Sequence, residues 1–259
     1  MNSQNSITSH KNLMLVLLTV LFCVVTPLTV FYPLKANLPL TVILPIVVLS
    51  SLNLVFFEKL KLSTLIITRI LILLPVLGFW SGESFVKIIL PFMGVNILEA
   101  SIVDWKRGKK YNAITGFGMI ITLFLMTSTW HTNFYTNYAF DSIGGVNQAS
   151  TWIWALVYTF WNWYFVAVEF EPGVSFLHVG ILATPIILGI YYGPEYWMVM
   201  RAYSLTFAGG VVQTYFKNYF VTSFSSPKWE SFVESVLEER KQLLFMIINL
   251  IALASMFFI

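Results

Sequence analysis

Long, uninterrupted apolar runs dominate the chain. The strongest cover 13–32, 38–57, 62–80, 85–104, 113–130, 151–169, 174–192 and 242–259. A ninth, 196–216, is weaker because it carries Arg201, Ser204, Thr206 and Gln213. Each is long enough, or nearly so, to cross a hydrocarbon core of about 30 Å as a helix. The runs do not alternate with period two and exceed the length of a barrel strand, which argues against a β-barrel. The pattern predicts an all-α, polytopic integral membrane bundle of about nine transmembrane helices, one transmembrane domain over 1–259. The first run is too long for a signal-peptide core and no small-residue cleavage site interrupts it, so it reads as an uncleaved span.

The polar gaps between runs orient the bundle. Lys11 precedes the first run; Lys59 and Lys61 follow the second; Lys106, Arg107, Lys109 and Lys110 follow the fourth. Lys217, Lys228, Arg240 and Lys241 separate the last two. These four gaps alternate correctly and hold eleven of the fifteen basic residues. Positive charge stays cytoplasmic, which predicts a cytoplasmic N-terminus, an external C-terminus and residence in the cell membrane. The gap 170–173 is placed inside without a basic residue, a mark against the scheme. An eight-helix variant, with 196–216 re-entrant, breaks the parity.

Two gaps are longer. Residues 131–149 form an outer loop rich in Asn, Tyr and Gly. Residues 225–241 read as an amphipathic cytoplasmic helix, capped by Ser226 with Pro227 in its first turn. Trp229, Phe232, Val233, Val236 and Leu237 share one face of it, and Glu230, Glu234 and Glu238 another.

Composition agrees: 58% of residues are hydrophobic and 10% charged, against about 25% charged in soluble domains. That leaves too little polar surface to coat a soluble body. The net charge of +3 is spread over short loops and forms no stripe, which speaks against nucleic acid and for the lipid bilayer as partner. The loop WKRGKKY either contacts lipid phosphate or sets topology. The single cysteine, Cys23, makes no intramolecular disulfide and no thiolate site. Walker, G-x-S-x-G and H-E-x-x-H motifs are missing, and no metal or cofactor is expected.

Ionisable groups within the runs are costly and often mark function. They are Arg69, Glu99, His178 and Arg201, with the amides Asn53, Asn96, Asn162 and Gln213. Counted from the cytoplasmic ends at about 1.5 Å per residue, all except Arg201 fall in one inner layer. Arg201 falls in an outer group with Glu83, Lys87 and Glu195. In run 151–169 the stripe Ala155, Thr159, Asn162, Val166 and Glu169 faces neighbouring helices, with Trp154, Trp161 and Trp163 elsewhere around the axis and Trp152 at the outer interface. Asn162 and Glu169 then project together into the layer, or they serve only as a helix contact and a solvated end.

Several groups have two readings. Glu99 pairs with Arg69 as a buried fastener, or contacts a ligand or carries a proton. His178 shuttles a proton or packs. Arg201 binds an anion or snorkels outward towards Glu195 or Asp141. Gly209-Gly210 admits close backbone approach or marks a bend. The candidate substrate-binding set is Arg69, Asn96, Glu99, Asn162 and His178. The leading expectation is a secondary transporter or permease for a small polar solute. The alternatives are an intramembrane enzyme acting on a lipid or isoprenoid at the cytoplasmic face, and a non-catalytic assembly subunit.

Overall fold

In a computed structural model the apolar runs are largely helical where they are described; 52–54 is not, and Trp130 opens a strand. The structure describes residues 2–54, 56–79, 82–125, 130–134, 140–145 and 147–259; side chains are described from His10 onward, without 57, 72, 75, 76, 82–89 and 130–145. Helix α1 covers Asn2–Phe31. A π-helical segment, Pro33–Ile43, continues as α2, Leu44–Ser51. Then come α3 (Phe56–Val76), α4 (Gly82–Lys106) and α5 (Lys110–Leu125). Strands β1 (Trp130–Phe134) and β2 (Phe140–Gly145) precede α6 (Gln148–Glu169) and α7 (Pro172–Tyr192). A 3-10 turn at Pro194–Tyr196 leads into α8 (Trp197–Ser204) and a second π segment, Leu205–Gln213. The chain ends in α9 (Lys217–Phe224), α10 (Pro227–Val236) and α11 (Glu239–Ser255).

Among the described residues, three helices are long and apolar enough to cross a membrane: His10–Phe31, Pro33–Ser51 and Pro172–Tyr192. Helix α6 has the length, but its four tryptophans, two tyrosines and Asn162 dilute its aliphatic character. The surface differs from that of a soluble body in the length of its apolar stripes. On α1, Leu13, Val16, Leu17, Val20, Leu21, Val24 and Leu28 form an exposed stripe, while Thr26 and Thr29 on the opposite face are sealed inside. Exposed aliphatics recur on α11 at Leu244, Ile247, Ile248 and Ile251. Water penalises contiguous apolar surface of this extent, whereas hydrocarbon does not.

The region expected as an outer loop contains two strands paired antiparallel instead. Trp130 pairs with Gly145 and Thr132 with Ile143, and the register shifts between Asn133 and Phe134. Both strands are short; β1 is rich in aromatic and β-branched residues, which suit a pleated ribbon, whereas β2 has only Phe140 and Ile143 of that kind. The amphipathic segment also differs from expectation. Ser226 accepts from the Trp229 amide and Pro227 opens the helix, as capping chemistry dictates. The helix stops at Val236, however, and α11 starts at Glu239 rather than at 242. Helix α10 packs beneath the bundle: Trp229 Nε1 donates to the Pro172 carbonyl at 2.8 Å, and its ring lies 5.0 Å from that of Phe176.

Helix α6 runs through the core. Trp154 and Trp161 are buried with Ala155 and Val166, so both the small stripe and these tryptophans face protein. The ring of Trp154 stacks on Tyr158 at 5.5 Å and meets Trp197 edge-on at 6.0 Å. Trp161 Nε1 donates to the Asn112 carbonyl at 3.0 Å. Trp152 lies over Gly189, where an added Cβ would sit 3.0 Å from the indole.

Contacts between connections assign the helix ends to two sides. On one side Lys11 donates to the Ser225 carbonyl, Lys217 pairs with Glu58, Arg107 pairs with Glu169, and Tyr111 donates to Glu239. On the other, Asn147 donates to the Ile259 carbonyl, and β2 packs on the Pro194–Tyr196 turn and on α8. The eleven basic residues of the four gaps all belong to the first side, hereafter the basic end.

Candidate functional site

A cavity of about 170 Å³ lies between α3, α4, α6, α7, α8 and the second π segment, with the start of α9 at its mouth. Glu58, Lys61 and Lys217 line it at the basic end; Arg69, Tyr158 and Arg201 line it deeper in the bundle. From Glu58 to Arg69 is eleven residues of α3, or roughly 16 Å of depth.

Helix geometry brings the polar groups together. On α3, Lys61, Leu65 and Arg69 are four residues apart, and all three line the cavity. Gly210 lets the second π segment approach α3, since a Cβ there would meet Leu62 Cδ1 at 3.0 Å. That segment is wound with a wider turn, which spreads Leu205, Gly209 and Gln213 along the cavity wall. π-helical turns recur at functional sites for this reason.

One relay crosses four elements. Arg201 Nη2 donates to Asn162 Oδ1 at 2.9 Å. The same oxygen lies 3.1 Å from His178 Nε2, and His178 Nδ1 lies 2.9 Å from Gln213 Oε1. A guanidinium only donates, so Asn162 Oδ1 accepts, and the imidazole proton sits on Nε2. The atom facing Nδ1 is the oxygen of Gln213, so a neutral ring, whose Nδ1 accepts, requires the Gln213 amide to turn its NH2 end towards it. Both nitrogens of His178 are therefore occupied; the ring holds Asn162 in place.

The two arginines are seated on tyrosine faces. The Arg69 guanidinium lies 4.6 Å from the Tyr203 ring centre, and that of Arg201 lies 5.6 Å from the Tyr158 ring centre. Tyr203 is held in turn by Asn37 of the first π segment, whose amide donates to its hydroxyl at 3.3 Å. Each arginine is only 2% exposed. Their Nε and Nη1 atoms have no hydrogen-bond partner, and neither has an ion-pair partner among the described residues. The lysines differ. Lys217 pairs with Glu58 at 2.7 Å, and Lys61 donates to Asn96 Oδ1 at 2.7 Å with Glu99 at 3.9 Å.

Of the five residues read from the sequence, Arg69, Asn96, Asn162 and His178 line this cavity. Glu99 stands behind Lys61, off the lining. The expected Arg69–Glu99 pair does not form: Lys61, on the same helix, takes the carboxylate, and Arg69 turns to Tyr203. Arg201 is not in an outer group, because its long side chain reaches along α8 to Asn162. Asn53 is exposed in the α2–α3 connection. Glu169 pairs with Arg107 at 2.9 Å instead of joining Asn162. The side chains of Glu83, Lys87 and Asp141 lie outside the described residues. Sequence reasoning passed over Lys61, Lys217, Tyr158 and Tyr203. Tyr158 precedes Asn162 by four, which was the available signal.

Among the described residues no three His, Cys, Asp or Glu side chains gather as a metal site. A second polar cluster stands apart, where buried Asp104 accepts from Asn112 Nδ2 at 2.6 Å beside Trp161. A second, almost wholly apolar hollow of about 460 Å³ lies between α5, α6, α7, α10 and α11. Comparison with known proteins finds no matching family, no matching curated protein and no matching solved structure.

Proposed function

We propose that this chain is a polytopic membrane protein of about nine transmembrane helices with a cytoplasmic N-terminus, working as a secondary transporter or permease for a small polar solute. The observation that carries the reading is the cavity: polar side chains from six helices and a π segment line one hollow, with its lysines at the basic end. Segregation of basic residues to that end supports a cytoplasmic mouth. Its volume falls below the roughly 300–1,000 Å³ of drug-sized pockets, which suits a small solute rather than a whole lipid. A π segment with Gly209-Gly210 against the cavity supplies a place where a helix can flex.

The enzyme reading fares worse. A general base needs a free lone pair near the substrate, and the cavity offers few: His178 is bonded at both nitrogens, Glu58 is held by Lys217 and Glu99 stands behind Lys61. Pure assembly fits poorly as well, because a structural fastener does not need two buried guanidinium groups without carboxylates.

The test is uptake into proteoliposomes of a panel of labelled small acids, sugars and amino acids. The expected outcome is protein-dependent uptake of one class, lost in Asn162→Ala. Vesicles that take up nothing beyond protein-free controls across the panel, with soluble solutes also failing to shift thermal unfolding, overturn the reading.

A further inference from the structure

We infer that the cavity is built for an oxyanion: a small solute carrying a carboxylate or phosphate group, held by Arg69 and Arg201. As the substrate class of a permease this rests on the reading above; as a binding site it stands on the charge balance alone.

The cavity lining holds four cationic side chains, Lys61, Arg69, Arg201 and Lys217, against one carboxylate, Glu58. Glu99 compensates Lys61 from behind. What remains uncompensated is the pair of arginines, both 98% removed from solvent and both with orphaned donors. A buried charge without partner or solvent is among the costliest features a fold can retain. Tyrosine faces soften that cost at Arg69 and Arg201 but supply no negative charge. A planar guanidinium matches the geometry of carboxylate and phosphate oxygens, and two of them in one hollow carry a double positive charge that a neutral solute does not offset. The relay through Asn162, His178 and Gln213 fixes Arg201 in position before a ligand arrives, which lowers the ordering cost of binding. A halide offers charge without the directed lone pairs that orphaned N–H groups take, so the geometry selects an oxyanion.

The experiment uses the full chain in nanodiscs of phosphatidylcholine, with thermal unfolding followed by tryptophan fluorescence. Sodium phosphate, sulfate and succinate are titrated at constant ionic strength against sodium chloride, with glycerol as the neutral control. Phosphate, sulfate or succinate is expected to raise Tm saturably, and chloride and glycerol are not. Arg201→Gln and Arg69→Gln are expected to weaken the saturable effect at least tenfold, while Arg201→Lys and Arg69→Lys keep part of it. The wild-type titration decides by itself if a variant fails to fold. No saturable shift from any oxyanion, or an equal shift from chloride, overturns the inference; uptake of a neutral solute then leaves the permease reading intact. Saturable binding without flux in proteoliposomes keeps the oxyanion site and removes the permease. A parallel arm adds phosphatidylglycerol to the discs. A shift from that lipid with soluble anions inert assigns the oxyanion to a headgroup and likewise removes the permease.

Discussion

Asn162 is the joint on which the relay turns, and truncating it has a calculable cost. Its Oδ1 accepts from Arg201 at 2.9 Å and contacts His178 at 3.1 Å. A hydrogen bond to a charged group contributes about 1.5–3 kcal/mol and a neutral one about 0.5–1.5 kcal/mol. Asn162→Ala should therefore cost about 2–4 kcal/mol, a fall in Tm of roughly 5–15 °C at about 2–4 °C per kcal/mol. Asn162→Asp should act in the opposite direction. Its carboxylate supplies the counter-charge Arg201 lacks, so the empty protein holds or gains stability while oxyanion binding is lost. The assay is thermal unfolding of purified protein in detergent, followed by tryptophan fluorescence, with a double-mutant cycle through Arg201→Met. In the Arg201→Met background, Asn162→Ala should cost only the histidine contact, about 0.5–1.5 kcal/mol. An Asn162→Ala protein within about 0.5 kcal/mol of wild type, or an equal loss in both backgrounds, refutes the relay.

Three further outcomes are expected. Gly173→Ala places a Cβ 2.2 Å from the Phe220 carbonyl oxygen and 2.9 Å from that of Val221. Backbone cannot step aside as a flexible side chain can, so a loss of at least about 1–3 kcal/mol in thermal unfolding is expected. Trp229→Ala removes the donor to Pro172 and the ring contacts to Phe176 and Phe232; faster proteolysis within 225–240, with the rest of the bundle intact, is the expected readout. Topology is tested in a Cys23→Ser background, since Cys23 is the one native cysteine. Lys109→Cys should react with membrane-impermeant maleimide only from the cytoplasmic side, and Phe79→Cys, 73% exposed at the opposite helix end, only from outside. Labelling of both from one side removes the proposed threading.

Much of the helical layout was legible along the chain. Run 151–169 became Gln148–Glu169 and run 174–192 became Pro172–Tyr192. Run 62–80 became Phe56–Val76, shifted because the polar start at Glu58, Lys59 and Lys61 is itself helical. Gathering of the basic gaps at one end was equally legible, because alternation of helix direction follows from counting. Lateral partnership was not. Depth along an axis can be counted at a fixed rise per residue, but rotation about that axis and the identity of the neighbour cannot. Arg69 and Glu99 share a depth, yet Lys61 lies nearer the carboxylate and a tyrosine face lies nearer the arginine.

The sequence by itself determined that this chain forms apolar helices, where their polar ends fall and which amides and charges need a reason to be inside. Local composition sets these, since every backbone group in an apolar run is satisfied within its own helix. Only the tertiary structure decided that Arg201 turns inward to Asn162, that two arginines in one hollow have no carboxylate partner among the described residues, and that Trp130–Phe134 pairs with Phe140–Gly145. Those outcomes depend on contacts between elements far apart in the chain, where long side chains choose among several partners at the same height and packing selects one.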